Sequence, residues 1–518
     1  MRNSICLSGL LLYAGAAFGQ TVDPSIYAGD AFRYSEITQT GTARFQGLGG
    51  NHAALGGDAS STFGNPAGLG FYNRSEFSIS PALNLINTQS SYIGSVRSDN
   101  KANPTLGHLG LVLASSQQNG SRRWRRSTLG ITYSRLANFN NQFSFGARNN
   151  RSSIADTYVN AANGRQISPG NLSNEYDQNN NQALSLEAAA YQSYIIDATE
   201  TSPGQFGLPY YRFDAGRSID QFNTFTSSGG LSQWTIAYAG NLDDKLYIGG
   251  SIGLTRLRYT TENVFSESPI GSTNTSSYNQ TDNLSVRGNG INFTLGAIYK
   301  LDPSFQLGLS VATPTFSGVR ETFSQSITAN ILPSPNVPIQ GVNTFPVAPN
   351  DFNYSLTTPF RSSLGATYFI GGGKVGFITA TADYVGYGGL RVSTNVYDAQ
   401  NNSLFKSDVK QVVQSTYNNV INLRAGAEFR AGLLRIRGGV AYLPDPYQEA
   451  YRDLDRSKLL VSAGLGVRST KFFADVSGTY NTFQSSYTPY TLPSTSDYAS
   501  ALITNKLTNI TLTVGTFF

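Results

Sequence analysis

Apolar and polar residues alternate along most of this chain, and that period of two predicts strands. In 472–480, Phe472, Ala474, Val476 and Tyr480 share one face, and Asp475, Ser477 and Thr479 share the other. In 246–258, Leu246, Ile248, Ile252 and Leu254 share a face, and the polar Arg256 and Arg258 end the run. Leu423, Ala425, Ala427 and Phe429 oppose Asn422, Arg424 and Glu428, while Ile436, Val440 and Tyr442 oppose Arg435 and Arg437. Repeated from Glu76 onward, the pattern predicts about fourteen strands, an even number. They lie near 76–88, 105–115, 128–147, 231–240, 246–265, 285–300, 305–326, 352–369, 375–395, 415–429, 433–445, 458–468, 472–484 and 506–518.

The connections sort into two sets. Asn241–Lys245, Leu301–Ser304, Gly371–Lys374, Arg430–Gly432 and Ser469–Lys471 are tight, and a longer Arg-rich turn at 116–127 falls on the same side. The others are long and polar: 148–230, 266–284, 327–351, 396–414 and 485–505. A sandwich bathed in water at both ends has no reason to segregate its loops, whereas a bacterial outer-membrane barrel does. The predicted class is all-β, a transmembrane antiparallel β-barrel spanning 76–518. In its last strand Ile510, Leu512, Val514 and Phe518 alternate with Thr511, Thr513 and Gly515. An aromatic residue ending such a strand resembles the signal read by the outer-membrane assembly machinery. As the last of an even set, this strand runs toward the short-turn side and puts Phe518 at the periplasmic rim.

Composition agrees with strands and turns. Of 518 residues only 13% are charged, and Gly (53), Tyr (30) and Phe (30) are abundant. A net charge of +5 over this length implies no nucleic-acid partner. The dense cluster Arg122, Arg123, Arg125 and Arg126 around Trp124 reads as a solvated turn.

The N-terminus predicts a signal peptide at 1–19. Arg2 precedes the apolar run Ile5–Ala17, and Ala17 and Gly19 sit at −3 and −1 of a cut before Gln20. That run is short for a spanning helix, and no later segment approaches the ~18 continuous apolar residues one would need. An exported chain with strands of this kind points to the cell outer membrane, with outer-membrane lipid around it. Cys6 lies inside the signal segment, so the mature chain is expected to lack any disulfide or thiol nucleophile. His52 and His108 have no Ser/His/Asp or metal-ligand spacing around them. The expectation is no enzyme, no metal and no cofactor.

Residues 20–75 do not read as strands. Gly47, Gly49, Gly50, Gly56, Gly57, Gly64, Gly68 and Gly70 punctuate a stretch rich in Ala and Ser. Asn65-Pro66-Ala67-Gly68-Leu69 is a turn, because Pro66 fixes its own φ and keeps Asn65 extended. Such backbone suits a compact segment held inside a barrel, bonded to inward-facing side chains. Arg256, Arg258, Asp383, Arg424, Glu428, Arg435, Arg437 and Asp475 are candidates for the lumen face. Among them Arg424, Glu428, Arg435 and Arg437 could form an ion-pair ladder near the periplasmic rim, with structural pairing the simpler role. In the longest loop, Gln182–Ile196 predicts a helix with Leu184, Ala188, Tyr191 and Ile195 on one face. A hydrophobic capture patch and a self-packed loop helix both fit it.

An ordered set of motifs then carries a family resemblance. Gly41-Thr42-Ala43-Arg44, Gly47-Leu48-Gly49-Gly50, Ala54-Leu55-Gly56-Gly57-Asp58-Ala59 and Asn65-Pro66-Ala67-Gly68-Leu69 resemble the N-terminal hatch of the FadL/TodX family, in the branch found in Bacteroidetes-type bacteria. Thr358-Pro359-Phe360-Arg361 leading a strand and the terminal Phe518 extend the likeness. The resemblance implies a monomeric fourteen-stranded barrel with a hatch at 20–75 that holds Asn65, Pro66, Ala67 and Gly68. It also implies passive uptake of hydrophobic small molecules such as long-chain fatty acids or aromatic hydrocarbons. The alternative is a barrel that docks partners in an envelope secretion or assembly complex, since loops rich in Asn, Ser, Thr and Tyr also suit protein contacts.

Overall fold

The structure is a computed structural model that describes residues 23–38, 40–116, 123–333, 339–448, 454 and 456–518. The expected signal peptide and Arg122 lie outside the described residues.

Fourteen wall strands pair antiparallel with their neighbours. They are β1 (Glu76–Tyr92), β2 (Ser95–Ser116), β3 (Trp124–Asn138 and Asn141–Asn149), β4 (Ile219–Leu242), β5 (Leu246–Pro269), β6 (Thr275–Asp302), β7 (Phe305–Ala312 and Phe316–Ile331), β8 (Asn350–Thr357 and Arg361–Ile370), β9 (Gly376–Val385 and Arg391–Ser393), β10 (Val420–Ala431), β11 (Leu434–Leu443), β12 (Lys458–Arg468), β13 (Phe472–Tyr487) and β14 (Ala501–Phe517). The ring closes where β14 pairs with β1, from Glu76↔Phe517 to Ser91↔Leu502. Closure here leaves neither β1 nor β14 a free edge. Ser75 and Phe518 exchange backbone hydrogen bonds of 3.0 Å beside that seam.

Alternation along each strand separates lipid from lumen. Trp234, Ile236 and Tyr238 on β4, Ile252 and Leu254 on β5, and Ile291, Phe293 and Leu295 on β6 are exposed on the outer face. Buried Ala237, Ala239, Leu257, Val286 and Ile298 face inward from the same strands. A contiguous exposed apolar band of this kind is a lipid-facing surface.

The expected fourteen strands are all present, and two details differ. Several strands run further than their apolar pattern. β1 and β2, expected to stop at 88 and resume at 105, continue into a tight hairpin at Ile93 and Gly94, both with positive φ. Their polar outer halves are held by the ladder from Leu83↔Pro104 to Tyr92↔Ser95. Four strands read as continuous are broken. Pro314 interrupts β7 and Pro359 interrupts β8, because proline has no N–H to give the ladder. The two breaks are tied together, Thr315 N donating to Thr358 Oγ1 at 2.8 Å. β3 breaks at Phe139-Asn140 and β9 at 386–390.

Among the described residues, four α-helices follow the hatch and lie off the wall. The segment between β3 and β4 folds as α3 (Ala155–Arg165), α4 (Pro169–Asn174), α5 (Leu186–Gln192) and two short hairpins. Here α5 is shorter than the predicted 182–196, and of the expected face Ala188 and Ile195 are buried while Leu184 is exposed. These elements pack on Tyr92, Phe145, Phe265, Tyr278 and Tyr490 over the outer mouth. The fourth, α6 (Ala399–Thr416), is capped by Asp398 and lies where the sequence pattern suggested only a polar loop.

Candidate functional site

The N-terminal segment fills the lumen in two tiers. The lower tier is the hatch, residues 41–72. It opens with a short helix, α2 (Ala43–Gly47), whose first turn is capped by Thr42. It ends in a 3-10 turn, Pro66–Phe71, capped by Asn65. Asn65 is fully buried and works in three directions. Its Oδ1 accepts from Ala67 N at 3.1 Å. Its Nδ2 donates to Ala53 O at 2.6 Å and to Leu309 O of the wall at 3.2 Å. A side chain at the facing wall positions would collide with this backbone. A Cβ on Gly296 would lie 1.8 Å from Asn65 Oδ1, and one on Gly308 would lie 1.8 Å from Ala53 O.

Charge joins hatch to wall. Arg44 of the hatch lies 3.6 Å from Glu428 on β10 and 3.8 Å from Asp58. Glu428 also meets Arg430 at 2.9 Å and Arg437 at 2.8 Å, and Arg437 reaches Asp475 on β13. Beside this cluster, Arg424 meets Asp383 on β9 at 2.8 Å and donates to Gly49 O of the hatch at 2.9 Å. His52 Nε2 is 3.7 Å from Asp383 and 3.1 Å from Ser363 Oγ. His108, on β2, shares a 2.9 Å hydrogen bond with Ser134 Oγ. Burial pushes the Asp58 carboxyl up, but Arg44, the Ser60 N–H and the Thr42 hydroxyl outweigh it and hold it below the usual carboxylate range.

The four-membered ladder expected from the sequence is divided in this geometry. Glu428 and Arg437 face each other in register and pair. Arg424 turns to Asp383, and Arg435 spends its guanidinium on the carbonyls of Gly432 and Leu434. Arg44 was missing from the expected set, because its partner is far away in sequence and no local pattern links them. Arg256 and Arg258, expected at the lumen face, lie on the outer face with Ile252 and Leu254.

The upper tier is aromatic. Helix α1 (Pro24–Arg33) is capped by Asp23 and buries Ile26, Tyr27, Ala28, Ala31 and Phe32. Tyr27 packs on Phe352, Tyr354 and Phe405 at centroid separations of 5.0–5.3 Å, and its hydroxyl donates to Glu321 at 2.9 Å. Phe32 stacks on Tyr417 at 4.6 Å and approaches Tyr387 at 5.0 Å. The Phe405, Val409 and Val413 stripe of α6 closes this compartment. Inside it, burial raises the Asp30 carboxyl above its ordinary range even though Arg33 pairs with it.

The break in β3 borders this compartment. Phe139 contacts the rings of Tyr34 and Tyr259 at 6.0 and 5.5 Å. Thr38 N donates to Leu136 O at 2.9 Å, so the N-terminal segment is bonded to the inward-turned wall. Beyond the break, Asn141–Asn149 pairs with β4 and not with β2. The outer half of β2 pairs with β1 alone, since its ladder with β3 starts at His108↔Ser134. Side chains bridge the resulting seam: Lys101 donates to Ser227 O at 3.0 Å, and Asp99 accepts from Ser144 N at 2.7 Å.

A closed barrel of fourteen strands, plugged from within by its own N-terminal segment, defines the class. The fold is that of solved FadL- and TodX-type structures. A FadL homologue from Pseudomonas aeruginosa aligns over 93% of this chain and 99% of its own, with a TM-score of 0.50 and 13% identity. The toluene transporter TodX from P. putida aligns over the same shares, with a TM-score of 0.51 and 12% identity. No family model matches the sequence, and no curated protein does.

Proposed function

We infer that the chain is an outer-membrane channel for passive uptake of hydrophobic small molecules, such as long-chain fatty acids or aromatic hydrocarbons. The observation that carries this is the aromatic compartment between α1 and α6, sealed below by the hatch and bordered by the unpaired β2–β3 seam. Each CH₂ removed from water is worth roughly 0.8 kcal/mol, so such a compartment captures apolar molecules without an energy source. Release then requires movement of α1, the hatch or the seam. In this reading Asn65, Pro66, Ala67 and Gly68 hold the hatch shut, and the Glu428–Arg437 pairing anchors it. The chain acts as a monomer, needs no cofactor and does no chemistry on its ligand. Residues 1–19 direct export, and the Ile510, Leu512, Val514 and Phe518 strand is read by the assembly machinery.

Uptake by cells with and without the protein tests this directly. Radiolabelled oleate, toluene and a disaccharide are compared. The expected result is protein-dependent uptake of at least one of the first two and none of the sugar. Preference for the sugar overturns the reading.

A further inference from the structure

Arg256, Arg258, Arg287 and Arg320 stand exposed on the outer surface of β5, β6 and β7. Arg258 is directly opposite Arg287, and Arg287 is directly opposite Arg320, so three guanidiniums stand side by side across the strands. Like charges so placed repel and destabilise a sheet unless an anion sits among them. Among the described residues, the carboxylate paired with this row is Asp351, 3.0 Å from Arg320.

Height on the barrel says which anion fits. Arg256 is the next outward position beyond Leu254, and Arg287 lies two outward positions beyond Ile291. The row marks the upper limit of the apolar band formed by Leu254, Ile291, Phe293 and Phe316. An amphiphile lying along that band has its acyl chains below the arginines and its headgroup among them. Beside Arg287 and Arg320 a cleft of about 580 Å³ opens on the same face, lined also by Asn289, Asn353, Ser355 and Thr394. Gly318 leaves its floor open, with nothing within 4 Å of where a Cβ would sit. Guanidiniums grip phosphate through paired N–H donors, and amides and hydroxyls suit sugar hydroxyls.

We propose that this outer-surface cluster binds the phosphorylated sugar headgroup of an outer-leaflet glycolipid. The inference rests on the outer-membrane placement given above. Membrane fractionation tests that placement, and the measurement that follows tests the site wherever the protein is found.

The full-length protein in dodecylmaltoside micelles is titrated with diphosphoryl lipid A and followed by native mass spectrometry. The Arg258→Gln/Arg287→Gln double variant should bind about tenfold more weakly or worse, as expected for losing charge-assisted hydrogen bonds. Gly318→Trp, which keeps every charge and fills the cleft, should also weaken binding. It serves as the test if the double variant loses the heat-dependent gel mobility of a folded barrel. Dephosphorylated lipid A should not bind, and inorganic phosphate at equal concentration should not compete. Unchanged lipid A binding by the folded variants overturns the proposal. So does equal binding of the dephosphorylated lipid, or full competition by phosphate, which would mark a site for free anions only.

Discussion

The two tiers of the lumen meet the same wall through different materials. The hatch touches it through backbone at glycine positions and through buried charge, with three arginines converging on Glu428. Helix α1 touches it mainly through rings and aliphatic side chains, with the Tyr27–Glu321 hydrogen bond as a directional exception. Contacts of the first kind are specific in distance and angle, and they fail sharply when one partner is removed. Contacts of the second kind are non-directional and tolerate exchange of one apolar surface for another. On the proposed function, a floor built the first way stays shut while a compartment built the second way admits varied apolar molecules.

The sharpest way to break this contrast is at Arg437, which is almost fully buried between Glu428 and Asp475. Arg437→Met strands Asp475 and takes one of three arginines from Glu428, and should cost about 3–5 kcal/mol. A large fall in the urea midpoint of the heat-dependent gel shift checks it, and an unchanged midpoint would mean that the charges are not what secures the floor. A smaller effect is expected from Gly308→Val, whose added carbons meet Ala53 O. Overpacking there should cost about 1–3 kcal/mol and push the hatch aside. Raised single-channel conductance in planar bilayers is the expected readout, with α1 still protected from protease.

Acid should give the smallest and most discriminating effect. Asp58 titrates below its ordinary value, so its contribution to the hatch is present above about pH 4 and is lost as pH falls through the lowered value. Asp30 titrates above its ordinary value, so its contribution to α1 docking is full below about pH 4 and is lost as pH rises through the raised value. Moving from pH 7 to pH 3 should loosen residues 42–60 relative to 24–33. Hydrogen exchange corrected for intrinsic rates measures it. Parallel changes in both segments would show that the tiers respond as one body.

The barrel was legible because period two survives in every wall strand. The breaks at Pro314 and Pro359 were also written in the sequence. Apolar alternation that continues on both sides of each proline masks them. Arg256 and Arg258 show a subtler failure. Parity alone puts them on the outer face with Ile252 and Leu254, but charge suggested the lumen. β5 continues beyond the apolar band, so an outward charge there stands clear of its apolar side chains. Helix α6 leaves a faint signal, since only Phe405, Val409 and Val413 mark its buried side in an otherwise polar run. The Arg44–Glu428 contact had no local signal at all, since both residues look ordinary where they stand.

Helix α1 ends at Arg33, and the hatch helix begins at Ala43. The linking segment, residues 34–42, can span at most about 30 Å. A short tether of this kind keeps its passenger at an effective concentration in the millimolar range. On the proposed route, an incoming molecule competes with a resident that is always near at hand. Its measured affinity is then the intrinsic affinity reduced by the fraction of time the seat is vacant. Lengthening or shortening that tether would retune capture against release without altering any ring that lines the compartment.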